Sequence, residues 1–363
     1  SAGFYPETID QSLRFEDGDT VDLYKNFSAS NRRTNTYSFW IKRANLGSSQ
    51  IILSGGVGTS INDFWFHFEA GDILTFRNIT SNVYTAIVST TRVFRDTTNW
   101  YHIVLAVDTT QSTASDRIKI YVNGVQETLT FSTTPAQDSD LAINFAGNFY
   151  IGRLSYTATQ WLDGYMAEIN FIDGTALTPS SFGETKNDVW IPKAISGLTY
   201  GTNGFRLTFA DSSNLGDDTS GNGNDFAVNG LASTDVVLDS PTNNFATALG
   251  DGLAEPSDYQ SYNNPISSEG NLKITAQTGW TNGSSNFGMT SGKWYAECRI
   301  NAVAGSNYIR FGMRSRPART YDEYFWTDNG GGQIDSTTSP YSSRVGTHSA
   351  GDILQIALDL ENN

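Results

Sequence analysis

Apolar and polar residues alternate with a period of two in run after run of this chain, and the 3.6-residue period of a helix is nearly absent. In residues 117–124 (RIKIYVNG), Ile118, Ile120 and Val122 share one face while Lys119, Tyr121 and Asn123 share the other. Asn123-Gly124 then supplies the positive-φ pair of a type I′ hairpin turn. Residues 100–108 (WYHIVLAVD) are apolar on both faces, which predicts a strand inside a sandwich. Further strands are predicted at 37–43, 50–53, 64–69, 73–77, 149–153 and 165–172. One short helix is predicted over 178–184, with Thr178 as its cap and Pro179 at its first position. Short, regularly spaced strands with Gly and Asn turns predict an antiparallel jelly-roll sandwich over residues 1–185.

The pattern changes after residue 185. Residues 186–270 are rich in Gly, Asn, Asp and Ser and carry one predicted strand, 204–210 (GFRLTFA), before the turn-dense run GDDTSGNGNDF. That composition predicts a connector with short strands. A second β region, 271–363, contains strands at 293–300 (KWYAECRI), 307–313 and 352–360. The first of these places Trp294, Ala296, Cys298 and Ile300 on one face, so the chain's one cysteine reads as a core thiol. The fold class expected is therefore all-β, with tandem antiparallel β-sandwiches.

Composition narrows the function. Of 363 residues, 38 are Asp or Glu against 23 Lys or Arg, a net charge of −15. Such a surface repels the phosphate backbone of nucleic acids and anionic membranes, so no nucleic acid and no membrane insertion are expected. A single cysteine and three histidines exclude a disulfide framework and a Cys-based zinc site. No apolar run approaches the ~18 residues of a spanning helix. The opening Ser-Ala-Gly-Phe-Tyr-Pro lacks the basic and apolar regions of a signal peptide.

Several segments resemble known families. SLRFEDGDTVDL, YSFWIKR, WYHIVLAVD, IKIYVNG, FYIGR and WLDGYMAEINFIDGTALTPSSF follow one another as in the laminin-G-like, concanavalin A-like sandwich. SGKWYAECRI, YIRFGM and GDILQIALDLENN resemble a SPRY-like sandwich, whose pattern breaks off here at Asn363. The two together, joined through DDTSGNGNDF and DSPTNNFAT, resemble virion proteins of tailed bacteriophages, marine ones among them. That resemblance implies a non-enzymatic structural protein on the tail or capsid surface, a tail fibre or appendage. It also implies a homo-oligomer, trimeric by analogy, that contacts other virion proteins and binds host surface glycans. Rival readings are a plain spacer or decoration protein, a polysaccharide depolymerase, and a secreted lectin or adhesin.

Candidate sites follow from residue chemistry. Tyr321, Tyr324, Trp326 and Asp328, in YDEYFWTDNGGG, combine rings for the apolar faces of sugars with a carboxylate for their hydroxyls. The alternative for these rings is core packing. Asp217, Asp218 and Asp225 form an oxygen-rich run able to ligate calcium, the one cofactor this composition suggests; the alternative is a turn bonded to its own backbone. Retaining glycosidases pair two carboxylates on one strand face, but Glu168 and Asp173 are five residues apart and so point to opposite faces. His102 and His67 sit within apolar strands and read as buried, hydrogen-bonded residues; His348 lies in a turn. No catalytic residue is assigned.

Overall fold

The computed structural model describes residues 4–57, 61–249, 266–275, 284–285, 292–302, 313–314, 323–324, 349–359 and 361. Residues 1–287 form one compact unit and residues 288–363 a second. The first unit begins with β1 (Ser12–Phe15), β2 (Asp22–Phe27), β3 (Thr34–Arg43), β4 (Gln50–Gly56), β5 (Asp63–Phe68) and β6 (Ile73–Thr80). It continues through β7 (Val83–Val93), β8 (Tyr101–Asp108), β9 (Ile118–Val122), β10 (Val125–Gln126), β11 (Leu129–Thr133), β12 (Gly147–Ile151) and β13 (Gly164–Asp173). The strands β14 (Gly183–Lys186), β15 (Val189–Pro192), β16 (Phe205–Leu207), β17 (Ala227–Asn229) and β18 (Val236–Val237) follow. Two short strand pairs, β19 (Ala248–Leu249) with β22 (Ser284–Ser285) and β20 (Ile266–Ser268) with β21 (Lys273–Thr275), complete it.

Two large antiparallel sheets face each other. Sheet A runs β10-β9-β8-β3-β13-β1-β18, with β16 also paired to β13; sheet B runs β11-β7-β6-β5-β4-β12-β2-β17. Alternation decides which side chains enter the space between them. Phe64, Phe66 and Phe68 of β5 join the main core, as do Leu74 and Phe76 of β6 and Met166, Ile169 and Phe171 of β13. Aromatic rings fill one end of that core: Tyr37 stacks on Phe171 at 4.3 Å, and Phe27 on Phe149 at 5.0 Å. The predicted type I′ turn is present, with Asn123 at φ 49° and Gly124 at φ 81° between β9 and β10.

The both-sided apolar character of β8 has a structural cause. Ile103, Leu105 and Val107 face the inter-sheet core. Val104 faces the other way, into a second cluster with Ile172, Phe182 and Tyr200, flanked by Leu177, Ile195 and Leu198. Residues 175–200 thus form a third layer over sheet A, rather than a simple tail to the sandwich. Within it, the helix predicted over 178–184 is a single 3-10 turn, Pro179–Ser181, whose Thr178 makes no side-chain cap bond. β14 begins two residues later and pairs with β15, so the backbone of this stretch is claimed by a hairpin.

The region predicted as a connector completes the sandwich. β16 pairs with β13 in sheet A, and β17 pairs with β2 in sheet B. Phe205, Leu207, Phe209, Leu215 and Phe226 belong to the main core, and Phe205 meets Phe226 edge-on at 4.7 Å. Gly216 is needed where it stands, since a Cβ there would lie 1.9 Å from the carbonyl oxygen of Phe226. Glycine and asparagine here serve tight reversals between short core strands, a use that composition alone reads as a linker.

In the second unit, β23 (Lys293–Arg299) pairs antiparallel with β26 (Ile353–Asp359) along seven residues, and β24 (Met313–Arg314) pairs with β25 (Glu323–Tyr324). These match the predicted strands at 293–300 and 352–360; of 307–313, only Met313 lies among the described residues. Cys298 is half-buried, and burial pushes its thiol above the ordinary range. Among the described residues of both units no α-helix occurs, and no helix is long and apolar enough to cross a membrane.

Candidate functional site

The residues singled out from sequence meet different fates. Tyr321, Trp326 and Asp328 lie outside the described residues, as does His348; Tyr324 belongs to β25. Asp217, Asp218 and Asp225 do not converge as a ligand set. Asp218 accepts from the backbone N–H of Arg206 (2.8 Å), Ser220 (2.9 Å) and Asn224 (2.8 Å) and from the Ser220 hydroxyl (2.9 Å). Asp225 accepts from the N–H of Asp218 at 3.0 Å, and the amides of Asn222 and Asn224 donate to backbone carbonyls of residues 201–204. A carboxylate has about four acceptor sites, so Asp218 is saturated by backbone and hydroxyl donors. The run is a clasp that holds β16 against the core.

Glu168 and Asp173 are separated as their spacing requires. Asp173 is bound by the Asn144 amide (2.7 Å) and the N–H of Asn203 (3.0 Å), beside the core ring of Tyr37. Glu168 occupies a β-bulge in β13 at φ 49° and meets the Arg206 guanidinium at 2.5 Å. It lines a cleft of about 170 Å³ with Glu7, Asp10, Gln11, Lys193 and Arg206. The cleft exists because β1 and β16 pair end to end along β13, leaving a gap opposite the bulge.

His102 is sealed. Trp190 Nε1–H donates to its Nδ1 at 3.0 Å, which leaves the Nε2 proton to face Ser38 Oγ at 2.9 Å. Burial holds its pKa down at about 3, so the ring is neutral, and an indole stands where a triad carboxylate would be. His67 is likewise lowered to about 4, first by burial and then by the charge of Arg77.

The outward phase of sheet B is the most ligand-like surface. Strand register aligns Arg77, Trp65, Ser54, Tyr150 and Tyr24 in one row across β6, β5, β4, β12 and β2. Four strand spacings make that row about 19 Å long. Its middle is crossed by residues 153–160: Leu154 and Tyr156 pack with Ile51, Trp65 and Ile79, and Ser54 Oγ donates to the carbonyl of Arg153. Its β2 end is open, with Tyr24 39% exposed, and beside the row Tyr84 of β7, edge-on to Trp65 at 6.1 Å, is 43% exposed. Around Tyr24 the arrangement is specific. Its ring lies 5.9 Å from that of Tyr150, and the Arg153 guanidinium sits 3.9 Å over Tyr150, held by Asp22 at 3.2 Å. Asn26 donates to Asn148 Oδ1 at 3.0 Å, and Asn148 donates to the Tyr150 hydroxyl at 3.1 Å. Both amides are exposed and keep hydrogen-bonding capacity toward solvent. An exposed ring beside pre-ordered amides and a guanidinium can receive the C–H face of a sugar while bonding its hydroxyls.

Sequence reading missed this site because its residues sit among core residues. Trp65 and His67 alternate with three core phenylalanines, so β5 reads as wholly apolar. The available signal was phase: Tyr24 with Asn26, and Asn148 with Tyr150, share the face opposite Leu23, Phe27, Phe149 and Ile151.

Residues 15–181 match the profile of the concanavalin A-like lectin/glucanases superfamily. No curated protein matches the chain in sequence. Among solved structures, a heptameric SAP-like pentraxin from Limulus polyphemus is 17% identical over 47% of this chain and 78% of its own, with a TM-score of 0.34. Domains LG4-5 of the mouse laminin alpha1 chain are 12% identical over 55% of this chain and 48% of their own, at 0.35. A Ruminococcus gnavus IT-sialidase CBM40 is 13% identical over 48% of this chain and 96% of its own, at 0.33. With two facing antiparallel sheets and this profile match, residues 15–181 form a concanavalin A-like, laminin-G-like jelly-roll domain.

Proposed function

We propose that the chain is a non-catalytic attachment module that binds glycans through the outer face of sheet B, at Tyr24, Asn26, Asn148, Tyr150 and Arg153. The observation that carries this reading is the exposed Tyr24 ring set beside hydrogen-bonded amides and a stacked guanidinium on the outer face of sheet B. A lectin-type jelly roll over residues 15–181 supports the same class of ligand. The order of modules in the sequence supports a place on the tail or capsid surface of a tailed-phage virion, where the chain would contact other virion proteins. There, weak sites repeated across a homo-oligomer, a trimer by analogy, gain avidity through effective concentration. Separate engagement of Glu168 and Asp173 supports the non-enzymatic reading over a depolymerase of the paired-carboxylate kind.

The test is a glycan array with the purified chain, repeated with Tyr24→Ala and Asn148→Ala. Binding that falls at least ten-fold in each variant at unchanged melting temperature is the expected result. Binding untouched by both would move the site elsewhere, and silence across the array would favour the plain spacer. Labelled antibody on intact particles tests the virion assignment, and absence from the particle surface would remove it.

A further inference from the structure

We propose that Lys42 and Asn244 join in an intramolecular isopeptide bond, with Asp239 as the proton carrier between them. β3 carries Lys42 on the outward phase of sheet A, where its register partner is Tyr165 of β13. The side chain is wholly buried beneath the segment that follows β18. Its Nζ donates to Asp239 Oδ2 at 2.8 Å, to Asn244 Oδ1 at 2.8 Å and to the Phe245 carbonyl at 2.7 Å. A carbonyl carbon lies about 1.2 Å from its oxygen, so Asn244 Cγ is within about 4 Å of Nζ, close to the separation of a near-attack pair. A tight turn sets the two partners in place. Ser240 and Asn243 exchange backbone bonds at 3.2 and 3.0 Å. Ser12 Oγ donates to the Asp239 carbonyl at 2.6 Å, and the N–H of Ile9 donates to Thr242 Oγ1 at 3.0 Å.

The surroundings suit the reaction. Trp40, Trp100 and Tyr165 belong to the apolar cluster on this face, and the Tyr165 ring lies 5.8 Å from Nζ. Burial lowers the Lys42 ammonium from its ordinary range against the opposing charge of Asp239, which favours the neutral, nucleophilic amine. Asp239 Oδ1 accepts from Trp100 Nε1–H at 3.0 Å and from the N–H of Phe245 at 3.3 Å, which aims Oδ2 at Nζ. The Asn244 side-chain nitrogen donates to the Thr98 carbonyl at 2.9 Å, and Asn244 is exposed, so a departing group has a route to water. The step balances without an oxidant or cofactor. One ammonium proton passes to Asp239 Oδ2, and the neutral Nζ attacks Asn244 Cγ. The Nζ–Cγ bond forms and the Cγ–Nδ2 bond breaks, with Asp239 returning its proton to Nδ2. The second Nζ proton leaves with that nitrogen as ammonium, and the carboxylate ends as it began. An unreacted ammonium would keep the same three acceptors as hydrogen-bond partners, and the mass of the chain separates the two states. The bond ties β3 to a residue 202 positions further on. Tension on the chain past residue 244 then reaches sheet A through a covalent link rather than through the short ladders of β17 and β18.

The intact mass of the purified full chain, followed by a protease digest, tests this. The expected result is a chain lighter than its sequence by one ammonia, and a branched peptide joining Lys42 to Asn244. Lys42→Arg and Asn244→Ala should each return to the mass of their own sequence and melt at a lower temperature than the native chain. If Lys42→Arg lacks a cooperative melt, Asn244→Ala, a change at an exposed position, decides under the same criteria. A native chain at its full sequence mass overturns the assignment. So does an ammonia lost within a linear Asn-Gly peptide, or a loss of water that places the link on Asp239.

Discussion

The two sheets of the jelly roll obey one alternation rule and use their outward faces in opposite ways. On sheet A, Trp40, Tyr165 and Ala167 point out and are sealed with Ile9, Trp100, Trp190 and Val237, while Val104 and Ile172 are sealed by Phe182 and Tyr200. The polar groups under that cover are matched: His102 with Trp190 and Ser38, Asn170 with the Tyr200 hydroxyl at 2.9 Å. On sheet B, Tyr24 at the β2 end of the outward row and Tyr84 beside it remain substantially exposed, with Asn26 and Asn148 presented to solvent. Outward aromatic residues therefore have no single meaning in this fold. Under a third layer they are packed away from solvent; without one, beside solvent-facing amides, they stay accessible, which is the basis of the proposed ligand surface.

The largest effect that would break this contrast is loss of the cover on sheet A. Trp190 stacks on His102 at 5.8 Å and fits between two glycines, where a Cβ on Gly124 would come within 2.4 Å of its ring and one on Gly183 within 2.5 Å. Trp190→Ala removes the ring and leaves the His102 Nδ1 lone pair buried without a donor. The expected cost is about 3 kcal/mol or more, read as a fall in the urea midpoint. A cost below about 0.5 kcal/mol, the range of neutral surface changes, would mean that the third layer is ornament and that the two faces do not differ as described.

The sheets were legible from the sequence to different depths. Strands such as β9 and β13 announced themselves through alternation, β5 through its unbroken aromatic run, and the Asn123-Gly124 turn through its dipeptide. β7 escaped notice because its inward residues include Thr90 while Ile87 faces outward, which blurs the alternation. β16 and β17 are three residues each, and their core residues, Phe205 and Phe226 among them, are embedded in glycine and asparagine. The site was harder still. A tyrosine on a strand gives no sign of whether another segment will lie over it, and that decision rests on residues 153–160 for sheet B and 175–200 for sheet A, more than a hundred residues away from Tyr24.

A smaller effect sharpens the account of the sealed face. His102 is neutral in the fold, with its pKa near 3 against about 6.5 when unfolded. The unfolded chain therefore binds the extra proton between those values. The contribution of His102 to stability is complete above pH 6.5 and is lost as pH falls toward 3. His67, lowered to about 4, acts in the same direction. Asp163, raised to about 8 by burial and then by the charges of Glu16 and Asp17, acts in the opposite one: its contribution weakens as pH rises from about 4 to 8. Comparison with His102→Gln cancels both. Urea midpoints at pH 7, 6, 5 and 4 should fall more steeply for the native chain than for the variant, approaching one proton or about 1.4 kcal/mol per pH unit. Parallel slopes would place a charged or solvent-accessible imidazole under the cover.

The smallest structural effect is expected at the residue with the largest proposed functional one. Tyr24 is in contact with Tyr150, but its outer edge is in water, and β2 is held in place by the backbone ladders to β12 and β17. Tyr24→Ala should therefore change stability by less than about 1 kcal/mol, far less than Trp190→Ala, because a half-exposed ring gives up little buried area when it is removed. Measured side by side in urea, the two variants set a covered aromatic against an open one on the same fold. Equal losses would mean that Tyr24 is a packing residue whose exposure is incidental, and the row on sheet B would then have to be explained by stability in the same terms as the sealed face of sheet A.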